Sequence, residues 1–369
     1  MNHHLHIICA HTPWPADNSI AIDIFYKIEA LHKTGIKIHL HYFYINPGCH
    51  PTELNKYCES VHSYQSGKSK NGLTVNGCEG DNKLAAIINA DNHPVLFEGL
   101  KSTGILQQIE KLGRKILVRM HNDECRHSHH LEKTSSSFFQ KFQLKRSALA
   151  IKKYEDLLPQ DCLYAFSNAG DVINSKKDHH FINAKYLPLF SPFKTVTGKT
   201  GIGNFCLYHG DLSDPCNEKA VLWLLSKVYN DIQTPLVIAG KNPGRQLTKQ
   251  AELYSHTCLI VNPSGSEMED LIGKAQINVL PSFSYKNPEL KLTHALLSGR
   301  HCITNENAVA ETDYEAACHV GKTASAFKSI ILQLYHRPFE EEEIKLREKI
   351  FKNINTEEPV NTLIEWLYS

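Results

Sequence analysis

Short apolar runs alternate with amphipathic stretches along most of this 369-residue chain. In the first half the runs predict β-strands at Leu5–Ala10, Ile36–Tyr44, Val95–Glu98, Lys115–Met120, Cys162–Ser167 and Ala184–Leu187. Helices are predicted at Ser19–Lys33, Ser102–Lys111 and Ala169–Lys176. The first of these helices is followed by Thr34-Gly35, and a glycine is typical of a helix end. Alternating strands and helices indicate parallel βαβ units.

A second series of the same kind follows residue 204. Its predicted strands are Phe205–His209, Pro235–Ala239, Thr257–Val261, Ile277–Leu280 and His301–Thr304, and two late helices are predicted at Phe339–Asn353 and Val360–Tyr368. Ser191–Asn204 separates the two series and contains Pro192 and three glycines, which is the composition of a linker. We therefore expect the α/β class, with two doubly wound domains that bind ligands at the carboxyl ends of their strands.

Composition and charge narrow the class of protein further. The net charge of +1 comes from acids and bases mixed along the chain, so we expect no nucleic-acid partner. Eleven cysteines without a C-x-x-C pair indicate buried free thiols in a reducing compartment. The first residues lack the pattern of a signal peptide, and no apolar run approaches the length of a membrane span. A cytoplasmic protein is expected.

The segment Pro281–Asn305 places a helix N-terminus just after a predicted strand. Asn287, followed by a proline, forms an N-cap and first-turn pair, and Gly299 ends the predicted helix. Free N–H groups and the positive end of the helix dipole favour an anion there. Lys286 and Lys291 add two cations. The segment alone leaves open an ordinary strand–helix unit whose lysines are solvated.

Other predicted strands also end in residues that suit a ligand. Asn18 and Ser19 follow the first strand as small N-cap residues and permit an anion at the start of the next helix. Gly210, Lys241 and Gly265 follow three strands of the second series. A capped helix after a strand is common, and a single loop lysine is usually only solvated, so these signals are weak one by one.

Glu98 and His121 each follow an apolar strand of the first series, so both are expected at the carboxyl edge of its sheet. A histidine at a strand end can also simply cap the next helix. The run after it holds Cys125, His127, His129 and His130, but His-x-His-His lacks the ligand spacing of a zinc site. We therefore predict a solvated segment there and no metal.

The strand–loop–helix–glycine–strand layout of Pro281–Asn305 resembles the donor-binding signature of GT-B glycosyltransferases of the large retaining type called family 4. That family carries Glu-x7-Glu, whereas Lys286 and His294 occupy the two places here. The helix is similar to the Lys-Leu-x-x-Ala-Leu-x-x-Gly helix of one GT-B branch, matched by residues 291–299. The FEGL run at 97–100 and the VRMHN-x-E run at 118–124 resemble a bacterial subgroup of these transferases.

The resemblance implies a GT-B fold, in which two Rossmann-like domains face a central cleft. We expect an N-terminal acceptor-side domain at 1–190, a linker at 191–204 and a nucleotide-sugar-binding domain at 205–345. Residues 346–369 are then expected to form a helix that crosses back to the first domain. The implied function is transfer of a sugar from a nucleotide-diphosphate donor to a cell-surface glycan or glycolipid, with retention of configuration.

The resemblance also assigns roles. His121 would face the transferred sugar, Lys291 would stabilise the leaving diphosphate, and Glu98 is the obvious carboxylate near the sugar. The residues expected to bind the donor are Asn18, Ser19, Gly210, Lys241, Gly265, Lys286, Asn287 and His294. Neither a cofactor nor a metal is expected beyond the nucleotide-sugar substrate, because cations and helix N–H groups would stabilise the diphosphate.

Two alternative functions and one further partner, a membrane surface, remain open. The loss of Glu-x7-Glu would suit a non-catalytic protein that binds a nucleotide sugar or glycan, and a nucleotide-sugar epimerase would need more acid–base groups than Glu98 alone. The segment Phe138–Leu158 predicts a basic amphipathic helix. Such a helix can lie on the inner face of an anionic membrane, although packing of its apolar face on its own domain is favoured.

Overall fold

The computed structural model describes residues 3–44, 51–66, 79–109, 113–121, 125, 126, 128, 129, 132, 138–177, 181–284, 289–310, 312–352 and 357–369. The chain divides into two compact units. Unit 1 comprises Met1–Pro192 and Thr356–Ser369, and unit 2 comprises Phe193–Asn355.

Strands and helices alternate through both units. Up to residue 192 they are β1 His4–Cys9, α1 Ser19–Lys33, β2 Lys37–Tyr44, β3 Ser60–Gln65, α2 Glu79–Ile88, β4 Val95–Glu98, β5 Ile116–Met120, α3 Phe138–Glu155, β6 Leu163–Phe166, α4 Ala169–Lys177 and β7 Ala184–Tyr186. From residue 193 they are β8 Cys206–Asp211, α5 Pro215–Trp223, β9 Leu236–Lys241, α6 Arg245–Glu252, β10 Thr257–Val261, α7 Gly265–Lys274, β11 Ile277–Val279, α8 Glu289–Ser298, β12 His301–Thr304, α9 Glu306–Val309, β13 His319–Val320, α10 Ala324–Leu334, α11 Glu341–Phe351 and α12 Glu357–Tyr368. Short 3₁₀ turns cover Thr52–Lys56, Leu100–Gln108 and Glu315–Ala317, and a π turn covers Leu224–Val228.

Unit 1 is built on a parallel sheet that, within the described residues, has the strand order β3-β2-β1-β4-β5-β6-β7. The order reverses between β1 and β4, which pair directly from His6↔Val95 to Cys9↔Glu98. Such a reversal is where ligands bind in doubly wound sheets, because the two adjacent crossovers leave on opposite faces. Both the end of β4 and the start of α1 therefore belong to this position.

The helix α1 shows how the sequence defines these elements. Its N-cap is Asn18, whose Oδ1 accepts a hydrogen bond from the Ala21 backbone N–H at 3.0 Å. It ends at Thr34, and Gly35 follows with φ of 85°, a left-handed conformation that glycine adopts without strain. Ile24, Ile28 and neighbouring apolar residues pack into one core of unit 1.

The last helix, α12, belongs to unit 1 although all of unit 2 precedes it in the chain. Val360, Leu363 and Leu367 are buried in the same core as the residues of β1 and α1. The Tyr368 hydroxyl donates a hydrogen bond to the His4 carbonyl oxygen at 2.9 Å. Unit 1 therefore needs two chain segments to complete its core.

Unit 2 contains a second parallel sheet, whose order over the described residues is β10-β9-β8-β11-β12-β13. Its strand order reverses between β8 and β11, which pair at Ile277↔Cys206 and Asn278↔Leu207. The backbones of β8 and β9 approach closely at their ends, because a Cβ at Gly240 would lie 2.0 Å from the Gly210 carbonyl oxygen. A side chain at position 240 would therefore separate the two strand ends.

The structure differs from the predicted elements in several details. The strands β3 and β13 and the helix α2 were not predicted. The stretch predicted as a helix at Ser102–Lys111 is a 3₁₀ segment at Leu100–Gln108. Ser102 and Thr103 direct their hydroxyls back to the carbonyl oxygens of Gly99 and Leu100, each three residues earlier and at 2.7 Å. These i-to-i−3 contacts favour the tighter helix.

A hydrogen-bonded row that contains two histidines and one tyrosine crosses β1, β2 and β3 on one face of the sheet. The Tyr64 hydroxyl lies 3.0 Å from His41 Nδ1, His41 Nε2 lies 3.0 Å from His6 Nδ1, and His6 Nε2 lies 3.1 Å from Asp91 Oδ2. Because a carboxylate only accepts, each ring is placed to donate from Nε2 and accept at Nδ1. A neutral imidazole serves both bonds, whereas a protonated ring has no acceptor.

The helix α3 covers most of the predicted basic amphipathic segment. Ala148 and Ile151 are buried on its inner side, whereas Phe142 and Leu149 are more than half exposed. One face packs on unit 1 as favoured, but these two apolar residues do not belong to that face. Among the described residues, no helix combines the length and apolar character needed to cross a membrane.

Candidate functional site

The carboxyl end of β8 and the helix α8 meet at the strand-order reversal of unit 2. Lys291 extends from α8, with Nζ 3.1 Å from Asn217 Oδ1, 3.4 Å from the Tyr208 hydroxyl and 4.7 Å from the centre of the Tyr208 ring. A Cβ at Gly210 would lie 3.5 Å from the same Nζ, so the glycine keeps the strand end open beside the cation. Lys291 and Gly210 were predicted from sequence, and the structure brings them together.

In the described part of the chain, no carboxylate forms an ion pair with Lys291. Among the residues that the structure describes, its Nζ has no carboxylate oxygen within 4.0 Å. Asn217 and Tyr208 offer only neutral oxygens. Burial lowers the pKa of Lys291 to about 8, because a desolvated ammonium lacks the water that stabilises its charge. A perturbed lysine at the carboxyl edge of a parallel sheet is a candidate functional group.

Two histidines lie near this lysine, and each has a ring nitrogen without a hydrogen-bond partner in the described part of the chain. His209, in β8, is buried, and burial holds its pKa well below the usual value. His294 lies one turn after Lys291, and burial lowers its pKa to about 4. The two rings meet edge to face at 6.4 Å. Neutral imidazoles can donate a hydrogen bond to a ligand oxygen or accept one.

His294 also has a packing role. Its ring stacks on Phe193 with centroids 4.0 Å apart and an interplanar angle of 16°. This stack is a packing contact inside unit 2. Because burial lowers the pKa of His294 to about 4, the ring is neutral at pH 6.5, the ordinary pKa of histidine.

The other donor-binding predictions for unit 2 lie at the same edge of its sheet or outside the described residues. Lys241 ends β9, opposite Asp211 of β8. Gly265 is the first residue of α7, and a Cβ there would meet open space. Lys286 and Asn287 lie outside the residues that the structure describes. The roles of all of these residues in donor binding stay predictions.

In unit 1, a buried cluster of charged residues lies beneath the strand-order reversal. Lys27 Nζ lies 2.7 Å from Glu98 Oε1 and 3.2 Å from Asp23 Oδ2, and none of the three side chains is exposed. Arg119 Nε lies 3.1 Å from the same Asp23 oxygen. The cluster thus contains two carboxylates and two cations, and its charges balance.

Asp23 also connects this cluster to the backbone after β7. Its Oδ1 accepts a hydrogen bond from the Phe190 N–H at 2.7 Å, and Arg119 donates to the carbonyl oxygens of Leu187 and Pro188. Burial opposes the charged carboxylate, yet Arg119 and Lys27 hold the pKa of Asp23 below its usual range. The cluster therefore joins α1, β4 and β5 to the segment that follows β7.

His121 lies directly after β5 and faces both carboxylates. Its Nδ1 is 3.4 Å from Asp23 Oδ2 and its Nε2 is 3.1 Å from Glu98 Oε2, and 7% of its side chain is exposed. The ring packs beside Gly99, whose φ of 86° disfavours any other residue. To donate to a sugar through a ring nitrogen, the imidazole must turn away from at least one carboxylate.

Glu98 lies too deep for direct contact with a ligand. Burial alone would raise its pKa, but Lys27 and His121 lower it overall, so the group is a paired carboxylate. Asp23, Glu98 and His121 place possible ligand atoms within 4.8 Å of one another. Because Lys27 and Arg119 already neutralise these carboxylates, the set does not suit a metal ion.

The other predictions for unit 1 concern the start of α1 and the histidine-rich run after His121. Asn18 caps α1 and Ser19 begins it. In the histidine-rich run, His129 Nδ1 lies 3.3 Å from Glu132 Oε2 and Cys125 donates to the Ala148 carbonyl oxygen, while residues 127 and 130 lie outside the described part.

Several residues of the buried charged cluster and of the surroundings of Lys291 were not predicted from the sequence. Asp23 and Lys27 interrupt the apolar face of α1, and Arg119 interrupts an apolar strand, so charged residues at buried positions were the available signal. His209 and Asn217 join Lys291 only through the packing of α8 against β8 and α5, which no local pattern reveals.

Comparison with solved structures gives the fold. A sucrose-phosphate synthase from Thermosynechococcus elongatus is 12% identical, with a TM-score of 0.73 over 99% of this chain and 98% of that one. A mutant of S. aureus TarM in complex with UDP, fondaparinux and alpha-GlcNAc-glycerol is 9% identical, with a TM-score of 0.72 over 100% of both chains. Anabaena HepE in complex with UDP and glucose is 10% identical, with a TM-score of 0.65 over 100% of both. This chain has the GT-B fold.

Comparison by sequence finds a relative of unknown function. An uncharacterized 44.6 kDa protein in the cps region of Klebsiella pneumoniae is 24% identical over 312 residues, which is 79% of each chain. No protein-family model matches the sequence.

Proposed function

We propose that this protein is a glycosyltransferase that moves a sugar from a nucleotide-diphosphate donor to a cell-surface glycan or glycolipid, with retention of configuration. The observation that carries the proposal is Lys291, a desolvated lysine without a carboxylate partner among the described residues, beside Gly210 at the carboxyl end of β8. A diphosphate supplies the anion that this cation lacks. The GT-B fold adds support, since HepE and TarM were each solved with UDP.

The chemistry follows from the charge that develops during transfer. The bond between the anomeric carbon and the diphosphate oxygen breaks, and its electron pair leaves with the diphosphate. Lys291 stabilises this negative charge, as preorganised cations do in water-poor sites. The acceptor hydroxyl oxygen bonds to the anomeric carbon, and its proton passes to the departing phosphate, as the family resemblance implies. No side-chain base is needed in this scheme.

The neighbours of Lys291 define what else the donor can meet. His209 and His294 offer neutral ring nitrogens, in place of the second glutamate of the family pattern. Asn217 holds Lys291 through Oδ1 and donates from Nδ2 to the Asp211 carbonyl oxygen at 3.0 Å. This amide therefore fixes both the lysine and the end of β8.

In unit 1 we assign different roles to the two predicted catalytic residues. His121 keeps the role that the resemblance implies, a hydrogen bond to the transferred sugar. Glu98 acts as a positioning residue for His121, because its carboxylate is buried and paired with Lys27. A buried, paired carboxylate is a poor acid or base, which makes an epimerase less favoured.

The acceptor class rests on the Klebsiella relative, whose location in a cps region supports a role in polysaccharide biosynthesis. An acceptor carried on a lipid would bring the enzyme to the inner face of the membrane, where the basic helix α3 exposes Phe142 and Leu149. Such a helix can lie on an anionic surface.

The test is a transfer assay. The purified protein is incubated with UDP-, GDP-, ADP- and dTDP-sugars and a panel of glycan and glycolipid acceptors, and mass spectrometry follows every product. Release of nucleoside diphosphate with a new glycoside supports the proposal. Donor binding without turnover would instead favour a non-catalytic protein, and an isomerised nucleotide sugar would favour an epimerase.

A further inference from the structure

Three side chains capable of metal binding meet at the amino edge of the unit 2 sheet, at the opposite end of the strands from Lys291. His301 begins β12, His319 begins β13, and Glu343 lies in the first turn of α11. Each offers one ligand atom, and these atoms all lie within 4.8 Å of one another. Neither the sequence motifs nor the proposed transfer reaction uses them.

The hydrogen bonds of His301 determine which ring nitrogen is available. Its Nε2 lies 3.1 Å from the Arg337 carbonyl oxygen, which can only accept, so Nε2 carries the hydrogen. Its Nδ1 has no hydrogen-bond partner in the described part of the chain, although the side chain is fully buried. A metal-binding histidine commonly donates its second N–H to a backbone carbonyl in this way.

Nδ1 of His301 instead faces a carboxylate. It lies 3.4 Å from Glu343 Oε1, so in the neutral ring two lone pairs point at each other. A cation between the two atoms would turn this repulsion into attraction.

The spacing suits zinc. Two ligands of a tetrahedral ion with bonds of about 2.0–2.1 Å lie about 3.3 Å apart, close to the 3.4 Å between Nδ1 and Oε1. His301, His319, Glu343 and Cys318 line one cavity of about 80 Å³. A water molecule takes up about 30 Å³ in the liquid, so the cavity can hold an ion and a water ligand.

Two arginines lie near the cluster and do not block it. Arg347 donates to the backbone carbonyl oxygens of Leu296, Gly299 and Arg300 and packs over the Phe339 ring, so it is already engaged. Arg337 Nη2 lies 3.7 Å from Glu343 Oε1, but half of this side chain is exposed and it can turn into solvent. Glu343 Oε2 stays fixed by the Glu340 N–H at 3.0 Å, which leaves Oε1 for a ligand.

We propose that Nδ1 of His301, a ring nitrogen of His319 and Oε1 of Glu343 bind one divalent transition-metal ion, with Zn²⁺ the preferred ion. Two imidazoles and one carboxylate form a donor set typical of zinc, and water can fill the fourth position. The ion would join β12 and β13 to α11. Its role is to stabilise unit 2, apart from the transfer reaction.

The experiment measures zinc directly. The full-length protein is stripped with EDTA, returned to chelator-free buffer and titrated with zinc sulfate, while metal content and melting temperature are recorded. The variants are His319→Asn and Glu343→Gln, and the latter retains an oxygen for the Glu340 N–H. The matched control is His336→Asn, at an exposed histidine of the same unit.

We expect the wild type and His336→Asn to bind one zinc ion more than either site variant, or to bind it at least about tenfold more tightly. Zinc should raise the melting temperature of these two proteins only. The comparison separates this site from zinc held by the histidines of unit 1. Equal zinc content, affinity and melting shift in all four proteins would overturn the proposal. If His319→Asn fails to fold without metal, Glu343→Gln decides alone.

Discussion

Lys27 Nζ lies 2.7 Å from Glu98 Oε1 in a part of unit 1 where neither side chain is exposed. The pair joins α1 to the end of β4, and Glu98 in turn faces His121. An ion pair removed from water is sensitive to loss of either partner, because the remaining charge has no solvent to stabilise it.

We first predict the effect of breaking this pair. Lys27→Met should lower the free energy of unfolding by about 3–5 kcal/mol, since it leaves Glu98 buried without its cation. The double variant Lys27→Met/Glu98→Gln should recover much of that loss. Urea denaturation measures both. Lys33→Ala removes an exposed pair with Glu29 and should cost less than about 1 kcal/mol. Similar losses for both single variants would contradict this account of the cluster.

The second prediction concerns Lys291. Lys291→Ala should lower turnover by roughly ten- to a hundredfold without loss of fold, as removal of one oxyanion donor does. The charge is present below the pKa of about 8 and is lost as the pH rises through it, so turnover of the wild type should decline above about pH 8. Lys274→Ala, at an exposed lysine of the same unit, is the control. Wild-type turnover in folded Lys291→Ala would exclude the role.

The third prediction concerns the donor and His294. The preferred nucleotide among UDP, GDP, ADP and dTDP should raise the melting temperature of the wild type, and by less in His294→Ala. His294→Phe preserves the stack on Phe193 but removes the ring nitrogens. If His294→Phe binds the nucleotide as tightly as the wild type, the residue serves packing alone.

Because the pKa of His294 is about 4, its contribution to donor binding should be constant from pH 8 to pH 5 and fall only in stronger acid. Nucleotide affinity measured by isothermal titration over that range checks this point. A decline centred on pH 6.5 would mean that the ring is solvated.

The fourth prediction concerns the histidine row of unit 1. Burial lowers the pKa of His6 to about 4 and that of His41 to about 2. The unfolded chain therefore binds more protons than the folded one between pH 6.5 and pH 4, so stability should fall as the pH drops through this window. For His6 alone the loss by pH 4 is on the order of 3 kcal/mol.

Denaturation curves at pH 7, 5.5 and 4 measure this dependence. His6→Gln should lose stability at pH 7 but show a smaller further loss in acid than the wild type. His336→Gln, at an exposed position, should follow the wild type. An unchanged acid slope in His6→Gln would place the sensitivity elsewhere.

The fifth prediction is that transfer does not require a metal. Activity assayed below the melting temperature should persist in excess EDTA, because Lys291 and backbone N–H groups stabilise the diphosphate. The zinc proposed at His301 affects stability only, so EDTA should lower the melting temperature but preserve turnover. Loss of turnover on chelation, with recovery on addition of Mn²⁺ or Zn²⁺, would show a catalytic metal.

Local patterns predicted those elements whose ends carry their own signals. Helix α1 was predicted with its observed bounds, since Asn18 caps it and Gly35 follows its end. The strands β4, β10 and β12 also match their predicted bounds, and β4 and β12 are fully buried. Strand β3 was missed because its sequence, SVHSYQ, is largely polar and, within the described residues, it pairs with a neighbour on one side only.

The residues of the candidate site also divide into those that local patterns predicted and those that they did not. Lys291, Gly210 and His121 were predicted because each lies directly at a strand or helix end, where the chain signals a change of direction. Asp23, Lys27 and His209 were missed, since their importance depends on partners far away in the sequence. The single available hint was a charged residue at a position where the periodicity predicts an apolar one.

The division of unit 1 into two segments has a consequence for how the chain folds. Val360, Leu363 and Leu367 complete a core that begins with β1, and all of unit 2 is synthesised between them. On the ribosome, unit 2 can therefore fold while unit 1 still exposes the apolar groove that α12 covers. A nascent chain stopped before residue 357 would present that groove to chaperones, and quality control would recognise unit 1 as unfinished.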